Sequence, residues 1–233
     1  MAETDDKAKL PPDFDGRVRL FPLPNLVMFP HVVQPLHIFE PRYREMVEEA
    51  LEFDQLIATA HLQPGWDSSL ADCPAIYSTV CIGRIVSHAR LDDGKLNILL
   101  LGLKRAIVSR ELPLTRPFRE AQIAVQEDLY GGFGAKERAG VQRELLHCFR
   151  RFTPETPAAQ EQFESLMNNR LPLGVLTDII SFTMKFDLAL KQQLLDQVSV
   201  LERAKMLIAE LRQLDDSPVV RNDDMFPPRF SDN

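Results

Sequence analysis

Apolar residues recur along this chain with two different periods, and the change between them falls near residue 131. Before it, short apolar blocks and period-two alternation predict strands; after it, the spacing is close to 3.6 and predicts helices. One stretch of the first half, residues 20–46, has neither period. Large apolar residues there are interleaved with Pro22, Pro24, Pro30, Pro35 and Pro41. Proline lacks the amide donor that a helix interior or a central strand needs. Its apolar neighbours still require burial, which predicts a looped ribbon over a core, with short extended pieces at residues 18–20 and 32–36. At Pro41 the helical period starts, with Tyr43, Met46, Val47 and Ala50 recurring over residues 41–53. Proline suits the first helical turn, and Glu40 before it is placed to accept from the free amides.

Further strands are expected at residues 56–62, 79–91, 95–101, 105–112 and 118–127. Asp92-Asp93-Gly94 between two apolar runs signals a hairpin whose central residues need positive φ. The loop after the 56–62 strand carries Trp66, which either packs on the core or lines a binding surface. The first half therefore reads as a small, mostly antiparallel barrel or rolled sheet with one helix. Gly131, Gly132 and Gly134 form the joint. Beyond it Val141, Leu145, Cys148, Phe149 and Phe152 make one helical stripe, and Phe163, Leu166 and Met167 belong to a second helix. Residues 173–186 make a third. Asp187 caps a short helix to Asp196, and Ser199 with Glu202 forms a capping box for a last helix striped by Val200, Ala204, Leu207, Ile208, Leu211 and Leu214. The expected division is a mobile segment 1–16, a β-rich unit 17–130, a helical bundle 135–214 and a mobile tail 215–233. The short joint and the small size of the bundle predict that the two units pack as one.

Composition narrows the function. A net charge of −7 weighs against broad phosphate binding. No apolar run approaches the roughly 18–20 residues of a membrane helix, and the polar N-terminus has no signal-peptide core. Cys73, Cys81 and Cys148 lack metal or disulfide spacing and are expected as buried or half-buried free thiols in a reducing cytoplasm. The five histidines show no metal spacing either, so neither a metal nor a cofactor is expected.

The ribbon also carries a resemblance. Phe21-Pro22-Leu23, Phe29-Pro30 and the run Leu36-His37-Ile38-Phe39-Glu40-Pro41-Arg42-Tyr43-Arg44 resemble the opening of the Lon protease N-terminal domain. Ile82-Gly83, Asp93-Gly94, Gly102 with Lys104-Arg105, the run Leu176 to Ile180, the run Lys191 to Asp196, and Ser199 with Glu202-Arg203 extend it over about residues 17–214. The resemblance implies a PUA-like β-barrel followed by a helical bundle, an α+β fold. In Lon this region recognises unfolded or tagged substrates and helps the ring assemble. Lon continues into an ATPase and a Ser-Lys protease. No G-x-x-x-x-G-K-[ST] occurs here, so the chain resembles a stand-alone, non-catalytic member.

The expected function is peptide or protein binding, as an adaptor in protein quality control, through Phe29, Pro30, His31, Ile38, Phe39, Tyr43 and Trp66. Its partners would be unfolded or exposed protein segments, with a separate protease or chaperone and self-association also in view. The alternative is RNA binding through the basic run Lys104, Arg105, Arg110, Arg116 and Arg119; the same run also suits a solvated face opposite the acidic helix. Two enzymatic signatures fail. Gly132-Phe-Gly134-Ala-Lys-Glu137 lacks the third glycine of a dinucleotide loop, and Lys185 beside Asp187 keeps the charge that a Ser181–Lys185 dyad would have to lose.

Overall fold

The structure is a computed structural model; it describes residues 9–66, 73–132, 134–153, 156–157, 160–161, 164, 171–216 and 231–232. Its elements run β1 (Arg17–Leu23), β2 (Val33–Ile38), α1 (Pro41–Glu52), β3 (Leu56–His61), β4 (Thr79–Arg90), β5 (Leu96–Glu111) and β6 (Arg119–Gln126). The helices that follow among the described residues include α2 (Ala135–Arg150), α3 (Leu173–Thr183), α4 (Leu188–Asp196) and α5 (Val200–Asp216), and then comes β7 (Ser231–Asp232). The expected helix with Phe163, Leu166 and Met167 lies outside the described residues, as do residues 1–8 and most of the 215–233 tail.

The strands make one mixed sheet in the order β4-β3-β1-β6-β5-β2-β7, with an extra ladder between β4 and β5. The α+β class holds and the pairing is mostly antiparallel as expected, but the expected PUA-like barrel needs correction. Strand β1 runs parallel to β3, and β5 branches. The Leu96–Leu101 half of β5 lies between β2 and β4, and the Arg105–Glu111 half pairs with β6. Strands β2 and β7 hang outside the other five, so the sheet as a whole is not a closed barrel. Gly102 does not break β5 into two strands as expected; it sits inside one long strand.

Proline behaves as its chemistry demands, though not as the ribbon reading expected. Strand β1 is central and contains Pro22. The β6 ladder stops at Leu20, so Pro22 faces only β3, opposite Ala60, and no amide is missed on the β6 side. At the start of α1 the Glu40 side chain does not cap the helix; it accepts from Arg42 Nε at 3.0 Å. The Glu40 carbonyl alone takes the amides of Tyr43 and Arg44, each at 3.0 Å. The hairpin turn also differs. Leu91 and Lys95 close a three-residue loop in which Gly94 has φ +78°, and Asp93 does not share that conformation.

The two faces of the sheet bury separate clusters. One contains Val18, Leu20, Leu56, Ala58, Val80, Ile82, Leu103 and Ala106 between the strands. The other, on the opposite face, joins Phe21, Phe29, Leu36, Ile38, Met46, Ile57 and Leu100 to the buried sides of α1 and the bundle. In the bundle the expected stripes are present except at Leu214, which is exposed where α5 runs past its neighbours. Leu145, Cys148 and Phe149 are buried on α2, with Val141 and Phe152 packed beside them. Asp187 caps α4 by accepting from Leu190 N at 2.7 Å. The Ser199 box is only half made. Ser199 Oγ accepts from Glu202 N at 3.4 Å, while the Ser199 amide goes to Gln197 and Glu202 turns to Lys205.

Sheet and bundle are stitched together by backbone as well as side chains. Leu129 N donates to Val198 O at 2.9 Å, and Val200 N donates back to Leu129 O at 3.0 Å. Gln192 on α4 donates to Thr79 O of β4 at 3.1 Å.

Candidate functional site

At the junction of sheet and bundle four charged side chains meet, three of them out of water and Asp128 half-buried. Arg105 comes from β5, Asp178 from α3, Arg203 from α5, and Asp128 from the segment after β6. Asp178 and Arg203 are fully buried and Arg105 nearly so. The Arg105 guanidinium grips both Asp178 oxygens, one of them at 3.1 Å, and its Nε donates to Leu195 O at 3.0 Å. Arg203 donates to both oxygens of Asp128 at 2.9 Å, to Thr177 Oγ1 at 2.9 Å and to Gln197 O at 2.6 Å. Two guanidiniums and two carboxylates leave the cluster neutral, and their donors are matched to acceptors from four elements. This arrangement locks the two halves together; it presents no free nucleophile or base.

His31 borders the cluster. Its Nε2 lies 3.9 Å from Asp178 Oδ2, and its side chain is 43% exposed. Its backbone is left-handed, φ 66°, with its amide tied to Gly102 O at 2.8 Å. Burial lowers its pKa, against the opposing pull of Asp178 and Asp128.

The other sequence candidates scatter. Phe29, Pro30, Ile38 and Tyr43 are buried in the core, which removes them from any contact surface in this conformation. The ribbon is internal because it lies directly against β5, where the Phe29 and Pro30 backbones pack on Gly102. Phe39 and Trp66 stay outside, 41% and 40% exposed. The basic run does not form a phosphate surface. Arg105 is in the buried lock, Arg119 is buried and paired with Glu111 at 2.7 Å, Lys104 pairs with Glu127 at 2.6 Å, and Arg116 meets Glu49 of α1 at 3.3 Å. Arg110 is exposed near the end of β5. RNA binding is therefore not favoured.

The sequence reading missed a second surface. Along β2 the inward residues Gln34, Leu36 and Ile38 are buried, so Val33, Pro35 and His37 point to the opposite face. That face carries the inter-strand cluster lower in the sheet, where Leu101 packs against it. Above, where β2 and the β4–β5 hairpin extend past their neighbours, nothing among the described residues covers it. Val33 is 45% exposed and Leu99 36%. The register sets Val33 opposite Leu101, Pro35 opposite Leu99 and His37 opposite Asn97. His37 Nδ1 bonds Asn97 Oδ1 at 2.7 Å, and its ring stacks on Phe39 at 6.1 Å. Val33, Pro35, Leu99, His37 and Phe39 thus form an apolar strip on a rigid strand pair. The alternation in 33–38 was its available signal, obscured by reading proline as a loop marker.

Catalytic signatures do not assemble. Ser181 is buried and donates to Thr177 O at 2.7 Å, while Lys185 is exposed, so the two make no dyad. Gly134 stands at the N-cap of α2. Among the described residues no three His, Cys, Asp or Glu side chains are placed to hold a metal, and no helix is long and apolar enough to cross a membrane. Cys73 is exposed, contrary to expectation, because it sits on a loop; Cys81 and Cys148 are buried, and burial pushes the Cys81 thiol up.

Lys191 is an unexpected amine. Burial alone lowers its pKa to about 8, and its Nζ donates to Phe182 O near the end of α3 at 2.8 Å. From about pH 8 to the ordinary 10.5 the unfolded chain holds a proton that the folded chain has released. Stability should therefore rise with pH over that window, and Lys191→Met should flatten the rise, as read by urea denaturation at pH 8 and pH 10.

Comparison with known proteins agrees with this architecture. The model of the ATP-dependent protease La (LON) substrate-binding domain matches residues 17–213. The Lon protease of Roseiflexus castenholzii is 27% identical over 204 residues, 87% of this chain and 25% of that protein. The Lon protease of Dictyoglomus thermophilum is 28% identical over 209 residues, 88% of this chain and 26% of that protein. The chain spans about a quarter of the length of these curated relatives. Among solved structures, a Lon N-terminal domain protein from Xanthomonas campestris aligns with a TM-score of 0.60 at 18% identity, covering 83% of this chain and 97% of its own. The N-terminal domain of Mycobacterium avium complex Lon protease aligns at 0.61 and 20% identity, covering 84% and 98%. These two share the fold. With its match running from β1 nearly to the end of α5, this chain belongs to the Lon substrate-binding-domain family.

Proposed function

We propose that this chain is a non-catalytic recognition module for unfolded or exposed polypeptide segments, and that the strip Val33, Pro35, Leu99, His37 and Phe39 is where they land. The observation that carries the reading is the exposure of large apolar side chains side by side on paired strands. Contiguous exposed apolar surface is characteristic of interaction sites, and side chains held on strands lose little freedom on binding. The family's description as a substrate-binding domain and the printed names of its Lon protease relatives support the class of ligand. His31 and Trp66, which lie apart from the strip, are further candidate contacts. An adaptor role in cytoplasmic protein quality control, handing segments to a separate protease or chaperone, and self-association both follow from the same reading.

The test is direct binding of fluorescently labelled, reduced and carboxymethylated lactalbumin, a permanently unfolded probe. Val33→Asp with Leu99→Asp alters two exposed side chains and should leave the melting temperature nearly unchanged. It should weaken binding by about tenfold or more, since a client segment would then have to bury two charges. Equal affinity in the two proteins overturns the assignment of this face.

A further inference from the structure

Strand β2 has two sides, and they are paired very differently. Toward the interior it pairs with β5 over all six of its residues. Toward the outside its described partner is β7, with Leu36 opposite Ser231 and His37 opposite Asp232 in parallel register. No described strand lies against Val33, Gln34 or Pro35 on that side. Pro35 has no amide to lose at an open edge, and its carbonyl is met by the Gln34 side chain at 2.8 Å. The partly covered edge borders the exposed apolar strip, because the strip is made of the outward side chains of β2 itself.

We propose that the outer edge of β2 accepts an extended polypeptide segment as an added strand, and that the chain's own Ser231–Asp232 is a built-in competitor for that edge. The proposal rests on reading the chain as a polypeptide-recognition module. Strand addition draws affinity from main-chain hydrogen bonds, which are indifferent to sequence, and preference from alternate side chains. Every second side chain of an added strand would fall on the same face as Val33, Pro35 and His37. A sequence-tolerant mode with an apolar bias suits unfolded segments as a class.

The competitor is short. It covers two positions of β2, whereas a bound segment running alongside Val33–Ile38 has six available, so the longer ladder displaces the shorter. Tethering compensates for that weakness. Fourteen residues separate Asp216 at the end of α5 from Ser231. A short tether of this kind sets a local concentration of the order of millimolar. The edge is thereby kept paired when no segment is bound, which also suppresses edge-to-edge association of copies.

The experiment uses the full chain carrying Ser231→Pro and Asp232→Pro, which removes two backbone amides and leaves β2 untouched. If the tail holds the edge for most of the time, freeing it should tighten binding of reduced carboxymethylated lactalbumin by about threefold to tenfold. Hydrogen exchange at His37, the β2 amide that faces β7, should speed up in the free variant and slow again when the probe binds, while Leu36, whose amide faces β5, should not change. A peptide with the sequence of residues 226–233, added at millimolar concentration, should reverse the gain. Equal probe affinity in wild type and variant, or exchange at His37 that the probe does not slow, overturns this proposal alone. Absence of probe binding in both proteins overturns the recognition reading and this proposal with it.

Discussion

Asp178→Ala is expected to destabilise the intact chain by about 3–5 kcal/mol, because it strips the central anion from a buried ion cluster. Arg105 and Arg203 would be left facing each other with Asp128 as their only carboxylate, both out of water. For a domain of this size each kcal/mol moves the melting temperature by roughly 2–4 °C, so a drop of about 6–20 °C should appear in thermal unfolding. The cost lies in the orphaned charges, not in the loss of attraction. Arg105→Met combined with Asp178→Leu should therefore cost less than Asp178→Ala alone, since it removes charges of both signs and returns apolar volume. A double variant that is the less stable of the two would refute that account. Because the cluster ties β5 to α3 and α5, we expect one cooperative transition in the wild type. The Asp178→Ala variant is where separate melting of sheet and bundle should first become visible, by near-ultraviolet and far-ultraviolet signals that no longer coincide.

Gly102→Ala is expected to cost about 3 kcal/mol or more, for a different reason. A Cβ at this position would overlap the Phe29 carbonyl oxygen and lie 2.9 Å from its carbon and 3.1 Å from Pro30 Cα. All three atoms are backbone, so no rotamer change relieves the clash, and overpacking against a fixed wall lies at the severe end of its range. The internal ribbon depends on this approach: His31 N donates to Gly102 O and Gly102 N to Val32 O, at 2.8 and 2.9 Å. Gly140→Ala is the contrast. It lies in α2 with nothing within 4 Å of the added carbon, and should stabilise by about 0.5–1 kcal/mol. Urea denaturation of both variants reads the difference, and similar midpoints would show that the ribbon yields where we expect it to hold.

How legible each feature was follows from the range of the interactions that make it. Strand β3, helix α1, the Asp187 cap and the apolar stripe of α5 depend on residues within a few positions of one another, and each is readable as a period or a cap. The hairpin loop was readable as a loop but not as a turn type, because Asp-Gly and Asp-Asp-Gly closures differ by one residue of register. Proline misled in proportion to what surrounds it. Pro22 and Pro35 exclude a ladder only on the side their nitrogens face, and whether a donor is missed there depends on where β6 and β7 end.

The sequence by itself determined the α+β class, the order of most elements and the resemblance that the family match substantiates. All of these rest on local spacing or on runs of particular residues. Only the tertiary structure decided which apolar residues are contacts and which are core. Phe29 and Phe39 are both aromatic, ten residues apart in one ribbon, and no local property separates the buried one from the exposed one. It also decided what the basic residues are for. Arg105 finds Asp178 across 73 positions and Leu195 across 90, and Arg203 finds Asp128 across 75. A charge carries no mark in the sequence of whether it faces water, because its cost or benefit is set by partners that only folding brings within reach.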